Sequence, residues 1–291
     1  MTGTDRQELR TVAIALLASL LLWNLPFGGV LLYPFKLFAT WLHEMSHGLV
    51  MLVTGNGLDR VVIYRDTSGL AHASDQAGPT ALAFIAAAGY MGTSLWGALL
   101  LVVTPTARAA RNAMLVLAGL LAISAMLVIA TPKDDSFGLW AVGGMSAAVA
   151  AAAIVLRGRW RIAVAHFIAA QSCVNALLDI RVLFRPEQIV NGIPAESDAH
   201  SMARATFGTT DQWALWFWAI VWLVWALVVL YVAMRISAQS ASGSRALANV
   251  APFGRPTASP PDGSDRDERR RSPETEPERT APSGPADTAG S

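Results

Sequence analysis

The stretch from Pro34 to Thr54, PFKLFATWLHEMSHGLVMLVT, decides how the rest of this chain is interpreted. It is apolar over roughly the 20 residues that a helix needs to cross a bilayer. Near its middle stands His43-Glu44-Met45-Ser46-His47. Ionisable side chains at that depth are costly unless they have a partner. Three of them on one helical turn therefore indicate a shared partner, and a metal ion is the simplest one.

The spacing of the two histidines predicts the geometry of such a site. Four residues turn an α-helix by about 400°, so the rings of His43 and His47 stand on one face, a single turn apart. Both can reach one zinc ion. Glu44, one step round the helix, can act as general base on a zinc-bound water. The alternative is a chance match to a five-residue pattern, and the apolar surroundings argue against it.

Most of the remaining chain is also apolar, with 53% hydrophobic residues. Seven runs approach the length of a transmembrane helix. They are Thr11–Leu32, Pro34–Thr54, Thr80–Val103, Ala113–Ala130, Phe137–Leu156, Ile162–Phe184 and Trp213–Met234. We therefore predict an all-α polytopic membrane protein with about six to seven transmembrane helices.

Charge and cysteine content argue against a nucleic-acid partner and against two kinds of cysteine site. The formal net charge is +1, which gives no reason to expect a nucleic-acid partner. Cys173 is the single cysteine, so an internal disulfide and a cysteine-based metal site are excluded.

Two connections between the apolar runs are long enough to hold structure of their own. After Gly55, the β-branched run Val61–Tyr64, the turn residues Asp66–Gly69 and the short run Leu70–Ala73 predict a small β-hairpin. The connection from Arg185 to Gln212 is predicted to form an ordered or partly ordered surface loop.

The polar end of the chain predicts a second region. From Ser237 onward Ser, Gly, Pro, Arg, Asp and Glu dominate, and such a segment buries too little apolar surface to fold. We predict a transmembrane metalloprotease domain in residues 1–236 and a disordered polar tail in residues 237–291.

A catalytic zinc usually has a third protein ligand, and the best candidate in the sequence is Asp179. It ends the series Gln171, Asn175, Asp179, which forms one polar stripe on an apolar helix and should face the bundle interior. Spans two and six cross the membrane in the same direction, which puts Asp179 and the two histidines in the same half of the bilayer. The alternative is that Asp179 pairs with Arg181 or Arg185.

The other histidines are weaker candidates. His72 in the predicted hairpin and His200 in the late loop are alternative zinc ligands. His166 lies well round the helix from Asp179 and is expected to be a packed histidine.

These motifs resemble the site-2 type intramembrane zinc proteases, in particular their bacterial B-like branch, over most of residues 34–225. The likeness rests on Trp41–Gly48 with Thr54-Gly55, on the hairpin turn Asp66–Gly69, on Asn175–Asp179 and on Ser197-Asp198-Ala199. It implies that His43, His47 and Asp179 bind zinc and that Glu44 is the catalytic base. Ile180 stands where the wider family usually has glycine, and prolines are absent nearby.

The expected function is therefore zinc-dependent hydrolysis of peptide bonds in membrane-embedded proteins. The implied partners are a membrane-protein substrate and the lipid bilayer, with no nucleic acid, and the implied location is the bacterial inner membrane. A helical substrate must unwind, and the strand edge Val61–Tyr64 could hold it by strand addition. Two other functions remain open: a non-proteolytic membrane scaffold that keeps the metal site, and a metal-handling transporter.

Overall fold

The computed structural model of the protein describes residues 27–129, 136–184 and 188–250, together with residues 17, 21, 22 and 25. In chain order the described elements are α1 (Gly28–Val53), β1 (Leu58–Ile63), β2 (Gly69–Ala73), α2 (Pro79–Val103), α3 (Ala107–Leu127), α4 (Phe137–Val155), α5 (Arg159–Asp179), a 3₁₀ turn (Ile180–Phe184), β3 (Gln188–Val190), β4 (Ile193–Ala195), α6 (Asp198–Phe207) and α7 (Gln212–Val250).

Five helices in the described part of the chain are long and apolar enough to cross a membrane: α2, α3, α4, α5 and the segment Gln212–Ser237 of α7. Helix α1 has 26 residues and packs against α2 and α5 in the same bundle. The prediction of an all-α polytopic membrane protein is confirmed. Most of the first predicted run, Thr11–Leu32, lies outside the described residues, and its end belongs to α1.

Glycines bring the central helices together and so position the site. A Cβ added at Gly92 of α2 would lie 2.6 Å from Ser46 Cβ of α1, and one at Gly97 would lie 2.8 Å from Cys173 Sγ of α5. Small residues permit such close helix contacts in membrane proteins. Helix α2 therefore packs tightly between the helix that carries the two histidines and the helix that carries the polar stripe.

The predicted hairpin after α1 is confirmed as the antiparallel pair β1–β2, in which Val61 is opposite Ala71. The other edge of β1 is not open, however. The Val61 amide donates to the Val128 carbonyl at 2.7 Å, and Val61 also forms a parallel bridge with Ile129. The expectation that Val61–Tyr64 offers a free edge for a substrate strand is therefore wrong at Val61, because the chain that leaves α3 already pairs with it.

The late connection is more regular than a surface loop. Within it β3 and β4 form a second antiparallel hairpin, and α6 follows. Ser197 caps α6, since its side chain and that of His200 form a reciprocal capping box. Gly208 ends the helix in the left-handed conformation at φ 69°. This connection thereby becomes a rigid support for the residues at the start of α6.

The C-terminal helix α7 extends to Val250, so the predicted domain boundary between residues 236 and 237 falls inside a helix. The chain divides into the units Met1–Leu247 and Ala248–Ser291, and all the site residues discussed below lie in the first. Residues 251–291 lie outside the described part of the chain. The disordered tail therefore stays a prediction.

Candidate metal centre and catalytic site

The two histidines of α1 lie side by side, as their spacing predicts. Their ring centroids are 4.7 Å apart with an angle of 75° between the planes. His47 Nδ1 lies 2.6 Å from the Ile85 carbonyl oxygen of α2. A carbonyl oxygen only accepts hydrogen bonds, so Nδ1 is the donor, which leaves the Nε2 lone pair of a neutral ring for a metal.

The third group at this position is Asp198, the first residue of α6. Its Oδ2 lies 3.0 Å from His43 Nε2 and 3.2 Å from His47 Nε2. The ligand atoms of His43, His47 and Asp198 all lie within 4.8 Å of one another. Lone pairs on these three atoms would repel one another at such distances unless a proton or a metal ion lies between them. The arrangement therefore fits a metal site.

The ionised form of Asp198 is favoured although the residue is largely enclosed. Burial by itself raises the pKa of the Asp198 carboxyl, but His47 and His43, when protonated, lower it more through their charges and hydrogen bonds. The net pKa lies below the ordinary value for aspartate. Its place at the N-terminus of α6 acts in the same direction, because helix N-termini stabilise negative charge. Asp198 is thus available as an anionic ligand.

Gly89 of α2 leaves the space in which the two imidazoles meet. A Cβ added at this position would contact His43 Nε2 and would lie 2.5 Å from His47 Nε2. Real Cβ atoms do not approach other heavy atoms so closely, and α2 is held against α1 by the His47–Ile85 contact. Any larger residue at position 89 must therefore displace the rings from their present positions.

We expect Gly89→Ala to abolish most metal binding while the helical bundle still forms, because the added methyl group occupies the space between the two Nε2 atoms. The measurement is the metal content of the purified protein, with circular dichroism as a check on folding. The matched control is Gly119→Ala in α3, where nothing lies within 4 Å of the added Cβ. Full metal retention in Gly89→Ala would show that the histidines bind metal in a different arrangement.

Glu44 is held next to this group by the first hairpin. Its side chain is buried, with 6% of its surface exposed. A Cβ added at Gly69 would lie 2.7 Å from Glu44 Cγ and 2.7 Å from Thr40 Cγ2, so only glycine lets β2 come this close to α1. The backbone amide of Ala71 also interacts with the Glu44 carboxylate. The hairpin therefore fixes Glu44 beside the two histidines.

The turn of the first hairpin forms hydrogen bonds with α1 on one side and with the second hairpin on the other. Tyr33 Oη donates to the Arg65 carbonyl at 2.7 Å, and Thr40 Oγ1 donates to the Thr67 carbonyl at 2.5 Å. From the other side, the Asn191 amide of the second hairpin donates to Ser68 Oγ at 3.2 Å. The turn thereby links α1 to the connection that carries Asp198.

A polar cavity of about 280 Å³ opens beside these groups. Its walls come from α1 (Lys36, Thr40, His43, Glu44), the first hairpin turn (Asp66 to Gly69), α2 (Tyr90), α5 (Asn175, Asp179) and β3 (Gln188, Ile189). A larger groove of about 740 Å³ lies between α1, α2 and α3, but its lining is almost wholly apolar and suits contact with acyl chains. The smaller cavity contains the acid–base groups, so we place the chemistry there.

The structure brings together His43, Glu44 and His47, as predicted, and places Asp179 on the wall of the same cavity. The polar stripe faces the bundle interior, because Gln171 is 0% and Asn175 is 1% exposed. The group of three possible ligands, however, contains Asp198 and not Asp179.

Of the two arginines expected as alternative partners of Asp179, the structure describes Arg181. Arg181 donates to the Leu178 carbonyl at 3.3 Å and acts on Asp179 through its charge. Arg185 lies outside the described residues.

The remaining histidines stand apart from the group of three ligands. His72 lies in β2, where partial burial and the charge of Arg60 lower its pKa. His200 is engaged at the start of α6, with its Nδ1 2.9 Å from Ser197 Oγ. His166 is packed in α5 with its Nε2 buried, as expected.

Asp198 is the site residue that sequence reasoning did not select. Ser197-Asp198-Ala199 carries part of the family resemblance, but an aspartate after a capping serine is equally typical of an ordinary helix start. The sequence contains no signal that separates these two meanings. Asp198 lies 155 positions from His43, and only the folded connection brings them into contact.

Comparison with known proteins gives one match. The model of the family described as Peptidase M50B-like matches residues 11–233, which is most of the chain and includes every residue of the site. No curated protein and no solved structure matches the chain. The family match confirms the resemblance to the site-2 proteases, and five apolar helices together with this family make the protein an integral membrane protein. The chain belongs to the peptidase M50B-like family of membrane metalloproteases.

Proposed function

We propose that this protein is a zinc-dependent intramembrane endopeptidase in which His43, His47 and Asp198 hold the zinc and Glu44 is the general base. The substrates are membrane-embedded proteins. The observation that carries the proposal is the convergence of three ligand atoms within 4.8 Å, inside an apolar bundle and beside a buried glutamate.

The donor set suits zinc. Two imidazole nitrogens and one carboxylate oxygen make a ligand set typical of hydrolytic zinc sites, which leave one position open. When bound, zinc lowers the pKa of a water molecule and polarises the scissile carbonyl group. Histidines that bind zinc usually donate a hydrogen bond from their other ring nitrogen. His47 does so from Nδ1 to the Ile85 carbonyl.

Glu44 moves the proton. Its carboxylate takes the proton from the attacking water and passes it to the nitrogen of the leaving amine as the carbon–nitrogen bond breaks. The side chain cannot swing away from the histidines, because Gly69 and Thr40 pack against it and the Ala71 amide interacts with its carboxylate. Fixed placement of this kind raises the rate, since proton transfer depends steeply on geometry.

The cavity limits which part of a substrate can react. Its walls include two hairpins and three helices, and a peptide carbonyl within an intact substrate helix is already engaged in a helix hydrogen bond. A substrate helix therefore enters only as an unwound segment. This requirement favours substrates that carry helix-breaking residues near the cleaved bond.

Removal of the metal tests the proposal directly. We expect the protein in liposomes to cleave a membrane-embedded substrate, to lose that activity on treatment with a zinc chelator, and to regain it when zinc is restored. Product formation is measured by mass spectrometry of the released fragments. Cleavage that continues in the chelated protein would contradict a zinc mechanism, and substrate binding without cleavage by the zinc-loaded protein would indicate the scaffold function.

A further inference from the structure

Tyr90 of α2 is held rigidly at the wall of the cavity. Its ring stacks on Trp222 with centroids 5.0 Å apart and 14° between the planes. It also meets His43 edge-on, with centroids 4.8 Å apart and an angle of 89°. The side chain is 5% exposed. With its ring fixed on two sides, the position of the hydroxyl group is fixed as well.

The Tyr90 hydroxyl has no hydrogen-bond partner among the residues that the structure describes. Tyr90 lines the same cavity as His43, Glu44 and Asp179. An unpaired donor beside the catalytic groups is therefore available to a ligand in the cavity.

Two other uncharged donors of the cavity, Asn175 and Thr40, are already engaged. Asn175 Nδ2 donates to the Gln171 carbonyl at 2.9 Å and to the Phe35 carbonyl at 3.3 Å. Thr40 Oγ1 donates to the Thr67 carbonyl. These bonds hold the backbone of the site in place. Asn175 therefore connects α5 to α1 and does not offer its amide hydrogens to a substrate.

We propose that Tyr90 is a further catalytic residue, whose Oη donates a hydrogen bond to the carbonyl oxygen of the peptide bond being cleaved. The inference rests on the proposed peptidase function. Negative charge develops on this oxygen as water adds to the carbonyl carbon, and a preorganised donor in a low-dielectric site stabilises such charge strongly.

The hydroxyl takes part without losing its proton. A phenol with an ordinary pKa of about 10 is neutral at neutral pH, so it is a donor under working conditions. The carbon–nitrogen bond breaks, the water supplies the new carbon–oxygen bond, and the transferred proton travels through Glu44 to the amine. Tyr90 is unchanged at the end of the cycle.

Tyr90→Phe tests this role, because phenylalanine keeps both ring contacts and removes only the hydroxyl. We expect kcat to fall about 10²–10³-fold, the effect typical of losing one such donor, with KM and zinc content nearly unchanged. The matched control is Tyr231→Phe in α7, where the side chain is 58% exposed. It should leave kcat, KM and zinc content as in the wild type.

A kcat for Tyr90→Phe within about threefold of wild type would overturn the inference while leaving the proposed peptidase function intact. Loss of zinc from this variant would also overturn it, since Tyr90 would then act only by supporting His43. A binding measurement gives a second readout that is independent of turnover. A peptide hydroxamate should bind the zinc-loaded Tyr90→Phe variant about 10-fold more weakly than the wild type, and equal affinities would again count against the hydrogen bond.

Discussion

Glu44→Gln is expected to lower the rate of substrate cleavage by at least 10²–10⁴-fold, the usual contribution of a general base, while zinc stays bound. Glutamine keeps the size and shape of the side chain but cannot accept the proton from water. Zinc should remain because the group of possible ligands consists of His43, His47 and Asp198. The measurements are kcat on a membrane-embedded substrate in liposomes and zinc content by elemental analysis.

Two further variants test whether the loss of activity depends on the position of the Glu44 carboxylate. Glu44→Asp should also be largely inactive, because one methylene withdraws the carboxylate by about an ångström and displacements of that size can cost about 10²-fold. Glu196→Gln is the matched control, since Glu196 is exposed and pairs with Arg204 on the surface of the late connection. Near-normal cleavage by Glu44→Gln would mean that another group accepts the proton. If wild type and Glu44→Gln both bind substrates and neither cleaves them, the protein is a scaffold.

The second large effect is expected at Asp198. Asp198→Asn should weaken zinc binding by at least about 100-fold, because even an outer partner of a zinc ligand contributes about 10–100-fold to affinity and a direct ligand contributes no less. Cleavage should be lost with the metal. The change leaves the helix cap intact, because Ser197 and not Asp198 caps α6. Zinc affinity is measured by competition with a chelator of known affinity.

Asp179→Asn is the matched variant, because it makes the same chemical change in a carboxyl group on the wall of the same cavity. We expect this variant to retain zinc. The opposite pair of results, with zinc retained by Asp198→Asn and lost from Asp179→Asn, would make Asp179 the third ligand, as the resemblance to the site-2 proteases implies. Loss of zinc from both variants would mean that the two carboxylates share the metal.

The outline of the protein could be predicted from local properties of the chain. The apolar runs are long enough to demand helices in a bilayer, and all the runs within the described residues became helices of the bundle. The turn residues Asp66–Gly69 between two short β-branched or small-residue runs were sufficient to predict the first hairpin. The second hairpin, β3–β4, was not predicted, because strands of three residues are too short to show an alternating pattern.

The same distinction applies to the site. The sequence by itself determined that His43 and His47 share a helix face with Glu44 beside them, since a spacing of four residues sets this geometry wherever the helix lies. Only the tertiary structure decided what meets that face. Gly89 leaves room for the rings, Gly69 admits β2 to Glu44, and Asp198 completes the ligand group. These contacts join segments far apart in the chain, and their approach depends on how helices pack and connections fold back, which local spacing does not encode.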